Sequence, residues 1–156
     1  MDAAQSIPIA RIAVTAVVAG VLGGAAMIGV MRLITRAEWA RFHMIVAVGS
    51  LITRSREGAF GVGMIVHTIS AIVFATLYTI VMWKTGLAHL PISVFACIGL
   101  GIIHGMIVSI LLVWIISEHH PLPEFKDADL AIALVHFAGH VAYGAVVGLV
   151  IGLASF

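Results

Sequence analysis

Four stretches of this chain stay apolar for longer than the ~20 residues a helix needs to cross roughly 30 Å of hydrocarbon. They run from about Ile9 to Leu33, Phe60 to Trp83, Pro91 to Ile116 and Leu130 to Phe156. Their apolar character is continuous rather than alternating, which excludes a β-barrel. Composition agrees: 62% of the 156 residues are hydrophobic and only 10% are charged. A soluble surface cannot be covered by so few polar side chains. The expectation is one all-α domain over residues 1–156, a four-helix transmembrane bundle. The net charge of +1 gives no footprint for DNA or RNA, so the partner expected first is the lipid bilayer. Met1 to Pro8 carries no Lys or Arg, and the apolar stretch after it is too long for a signal peptide, so it is expected to be a retained first span.

Between the first two spans, about residues 37–53, the pattern changes. Trp39, Phe42, Ile45 or Val46, and Gly49 recur at intervals of three and four, while the uninterrupted apolar part is too short to cross a bilayer. That spacing predicts an interfacial amphipathic helix. The first connection also holds Arg32, Arg36, Arg41, Arg54 and Arg56, whereas the second holds only Lys84. Basic residues collect on the cytoplasmic side, so this connection is expected to face the cytoplasm of an inner membrane, with both termini outside. The third connection then shares the cytoplasmic face, and its Glu118, Glu124, Asp127 and Asp129 are expected to dock against those arginines.

Helices in lipid associate by close packing, and small residues four apart permit it. Ala16, Gly20 and Gly24 form such a seam in the first span, as do Cys97, Gly101, Gly105 and Ser109 in the third. In the fourth, Gly144, Gly148 and Gly152 continue back through His140 and His136; in the second, Gly63, His67, Ala71, Ala75 and Thr79 repeat the arrangement. The histidines therefore belong to inward faces.

Ionisable groups inside a membrane are costly and mark function by default. Here the candidates are His67, His104, His136 and His140, with His136 and His140 one helical turn apart on one face. Counting about 1.5 Å per residue puts His67 level with His136, and His104 level with His140. Imidazoles so placed suit a copper, zinc or iron ion, or the axial positions of a b-type haem. A neutral histidine on such a seam can equally donate to a carbonyl of the next helix, a bond worth about 0.6–2 kcal/mol. A second candidate metal site at the membrane surface is Glu118, His119 and His120; its alternative is a solvated loop broken by Pro121 and Pro123. The lone Cys97 offers no CxxC chemistry, and GxSxG and P-loop motifs are absent. Nothing here suits nucleophilic or phosphoryl catalysis, so binding is expected rather than an enzyme.

The pieces AVTAVVAGVLGGAAMIGVMRL, MIVAVGSLITR, VHTISAIVFATLY and GHVAYGAVVGLVIG resemble small bacterial four-helix membrane proteins of the YagU-like kind. That resemblance covers about half the chain and implies a fold but no activity; His104, His136 and the EHH triplet lie outside it. Two functional expectations follow. One is a protein that holds a metal or b-type haem through the four histidines; the other is a non-catalytic accessory subunit of a larger membrane complex, with homo-oligomers as a further partner state.

Overall fold

The computed structural model describes residues 9–37 and 43–154. Four long helices carry the fold: α1 (Ile9–Arg36), α3 (Ala59–Thr85), α4 (Ile92–His119) and α5 (Leu130–Leu153). Each is long and apolar enough to span a membrane. A shorter helix, α2 (Met44–Thr53), precedes α3, and a 3₁₀ turn at Pro123–Phe125 precedes α5. This is the all-helical, four-span bundle expected of a multi-pass membrane protein, with helix ends a few residues from those read in the sequence. The Met1–Pro8 segment, the Trp39 and Phe42 positions of the expected amphipathic helix, and the last two residues of the fourth span lie outside the described residues.

Local chemistry explains where the helices stop. α3 ends at Gly86, whose φ of 71° supplies the left-handed turn that satisfies the last carbonyls. α5 begins at Asp129, whose side chain accepts the Ile132 N–H at 3.1 Å. The α1 start and the α5 end meet where Arg11 donates to the Ala154 carbonyl. The opposite end of the bundle therefore holds the arginine-rich and acidic connections. There Arg56 and Glu124 form an ion pair at 2.7 Å, the docking expected from their charges. With side chains 64% and 46% exposed, such a pair contributes no more than about 1 kcal/mol.

The helices pack in the order α3, α1, α5, α4, with α3 and α4 making little direct contact. The small-residue seams set these approaches. A methyl group at Gly20 would lie 2.7 Å from the Ile72 Cα on α3. One at Gly101 would lie 2.7 Å from the His140 carbonyl oxygen, and one at Gly105 only 2.5 Å from the His140 Cβ. Only a missing side chain allows backbones this close. The outer faces carry exposed Ile, Leu, Val and Phe, such as Ile69, Leu77, Ile103 and Ile110. Such faces belong against acyl chains.

The short helix departs from a purely surface position. Gly49 of α2 packs directly on the Ala59 carbonyl, and Gly63 of α3 packs on the Ile45 carbonyl. On its other side, Met44 and Ala47 join a buried cluster with Val113, Ile116, Phe125, Ile132 and Ala133. α2 is thus a wedge that fills the gap between α3 and the α4–α5 pair at the arginine-rich end.

Candidate functional site

Beside the α2 wedge the bundle forms a partly open cavity of about 220 Å³. All four intramembrane histidines line it: His67 from α3, His104 from α4, and His136 and His140 from α5. The inward placement read from the seams therefore holds for each.

The four are not equivalent. His136 and His140 are 6% and 7% exposed. Their rings lie 4.9 Å apart between centroids, as expected one turn apart on a helix. His140 also faces His104 across the α4–α5 seam, with centroids 4.5 Å apart; Gly105 makes room for that approach. The three form a chain with His140 in the middle. His67 stands apart from the chain: its Nε2 donates to the Gly24 carbonyl at 3.2 Å, across the α1–α3 seam.

Hydrogen bonding separates them further. Within the described residues, His104 Nε2, His136 Nδ1 and both ring nitrogens of His140 are buried and have no partner in the protein. Leaving a buried polar atom unpaired costs about 1–3 kcal/mol, so one such group calls for a reason and four around one cavity call for a shared one. The remaining nitrogen of His104 is engaged: Nδ1 lies 3.2 Å from the Tyr78 hydroxyl. The Phe74 ring covers the same imidazole at 3.9 Å. Tyr143 donates to the Ala71 carbonyl at 2.6 Å, which fixes the wall between α5 and α3.

No three His, Cys, Asp or Glu side chains among the described residues converge on one point as a finished metal site. The rings of His104, His140 and His136 touch edge to face instead. No family model, curated protein or solved structure matches the chain.

The second expected site resolves differently. Glu118 and His119 are exposed on the last turn of α4, where His119 packs against Trp114. His120 points the other way and is 2% exposed. Its Nε2 lies 3.0 Å from the Ala47 carbonyl and 3.3 Å from the Ser50 hydroxyl, and its Nδ1 accepts the Leu122 N–H at 3.0 Å. Both nitrogens are thus engaged within the protein, and Glu118, His119 and His120 do not form one site. The backbone reversal at Pro121 turns the last imidazole inward, where it fastens α2 to the end of α4.

Sequence reasoning overlooked three further lining residues, Met27, Met31 and Met44. The first two are four apart in α1 and so share a face, a spacing that could have flagged them. They read as ordinary core residues because methionine fills apolar gaps in any bundle.

Proposed function

We propose that the bundle interior binds a transition-metal ion through His104, His136 and His140. The carrying observation is the set of buried, unpartnered ring nitrogens on these three residues around one cavity. Neutral imidazole is a good ligand for copper, zinc and iron. Metal-bound histidines are typically held by a bond from their other nitrogen. Tyr78 suits that task for His104: with Nδ1–H donating to the phenol oxygen, Nε2 presents its lone pair to the cavity. His67 is a positioning residue in this reading, because its Nε2 is occupied at Gly24. A cavity of about 220 Å³ supports an ion rather than a b-type haem, since even drug-sized ligands occupy pockets of roughly 300–1,000 Å³. The same proposal sets the arginine-rich end on the cytoplasmic side of an inner membrane, following the loop charges.

Metal analysis of the detergent-purified chain tests this reading, with His140→Ala and His67→Gln beside the wild type. Wild type is expected to carry metal in fixed proportion, His140→Ala to lose it, and His67→Gln to keep it while melting at a lower temperature. Metal-free wild type that also fails to take up copper, zinc or iron would overturn the proposal and leave the accessory-subunit role as the better account.

A further inference from the structure

The wall of the histidine cavity carries no carboxylate among its described residues; its polar groups are imidazoles, Ser70 and Tyr143. An ion bound there would keep its full charge in a low-dielectric interior. Desolvation cost rises with the square of charge, so a divalent ion loses about four times as much as a monovalent one of equal size. Zinc and ferrous sites commonly include an anionic ligand that offsets this cost. None is at hand here.

The methionines point the same way. Met27 and Met44 are each 4% exposed, and with Met31 they bring three thioether side chains to the cavity that the imidazoles line. Met31 runs alongside Gly139, the residue before His140: a methyl group at Gly139 would lie 3.4 Å from the Met31 sulfur and 2.8 Å from the Met27 Cγ. The missing side chain at Gly139 thus admits thioether groups to the backbone that bears two of the three ligand histidines. Neutral, soft thioether sulfur suits cuprous copper, whereas zinc draws on thiolate, imidazole and carboxylate.

Building on the metal-binding reading above, we infer that the ion is monovalent copper, held by histidine nitrogen on the α4–α5 side and by methionine sulfur on the α1–α2 side. The same wall would bind divalent zinc more weakly than Cu(I), because it offers no negative charge to offset the desolvation of a doubly charged ion and its sulfur is thioether rather than thiolate.

The test uses the full chain in detergent, titrated anaerobically with cuprous copper against a chromophoric Cu(I) chelator, and separately with zinc. Three proteins are compared: wild type, His140→Ala, and a triple variant with Met27, Met31 and Met44 each changed to Leu, which keeps side-chain volume. Wild type is expected to bind one Cu(I) per chain and to bind zinc weakly. The triple variant is expected to lose Cu(I) affinity at least about tenfold with its zinc affinity unchanged. X-ray absorption at the copper edge of the wild type is expected to show sulfur as well as nitrogen neighbours, and needs no variant to fold. Tight zinc binding with weak Cu(I), an unchanged triple variant, or a copper shell of nitrogen alone would each overturn this inference while leaving metal binding intact. Failure to bind either metal would overturn this inference, and failure to bind iron as well would remove the metal-binding reading with it.

Discussion

His120 shows how much depends on which way one imidazole points. Its ring ties three segments together: the end of α4, the turn at Leu122 and the middle of α2. Replacing it with Phe keeps the bulk but leaves the Leu122 N–H without its acceptor and removes one of the donors to the Ala47 carbonyl, which the Ser50 hydroxyl still reaches at 3.2 Å. An unsatisfied buried group costs about 1–3 kcal/mol, so His120→Phe is expected to lower the melting temperature in detergent. Metal content per folded chain should stay at the wild-type level, because His120 lies outside the cavity wall. Equal loss of metal and of stability would mean that the wedge and the cavity are one unit. Tyr78 gives the complementary case. Tyr78→Phe removes the hydroxyl beside His104 Nδ1, and losing such an outer partner typically weakens metal affinity about 10–100-fold. Titration of the variant with copper measures that loss, and a change below twofold would exclude a positioning role.

At the scale of helices, the glycine seams decide where the histidines stand. Gly105→Ala would bring a methyl group 2.5 Å from the His140 Cβ, a contact that α4 and α5 can relieve only by separating. Its expected effects are a lower melting temperature and weaker metal binding together, read by thermal melts and by the copper titration. Gly99→Ala, six residues earlier on α4, meets nothing within 4 Å. Alanine is the better helix former by about 0.5–1 kcal/mol, so this control should hold or raise stability and leave binding alone. If both variants behaved alike, close approach at Gly105 would not be what sets the site. These seams were legible in the sequence because one period, four residues, governs both helix faces and close packing. The placement of α2 was not legible. Its small residues, Ala47, Gly49 and Ser50, seat it against α3 and the α4 end, but ten residues carry no signal of which partner they will meet. The four cavity histidines could be read because a polar group in an apolar run stands out. The three methionines could not, since they match their surroundings, and the inward turn of His120 follows from backbone geometry at Pro121 rather than from residue type.

For the whole molecule, the loop charges carry an expected orientation that can be measured directly. Five arginines lie in or beside the first connection, Arg32 and Arg36 among them at the end of α1, against the single Lys84 at the end of α3, and basic residues are biased to the cytoplasmic side. The ion pair between Arg56 and Glu124 fixes the first and third connections at one end of the bundle, so a single assignment orients every span. Thiol labelling can make that assignment with little background, because the native Cys97 is 0% exposed. Asp127→Cys marks the arginine-rich end and His89→Cys the opposite end; both positions are exposed. Acidic residues contribute little to topology, so the Asp127 change should not itself invert the protein. A membrane-impermeant maleimide applied to intact cells, with the outer membrane made permeable where there is one, is expected to label His89→Cys and to spare Asp127→Cys until the cells are lysed. Labelling in the reverse order would put the arginines outside.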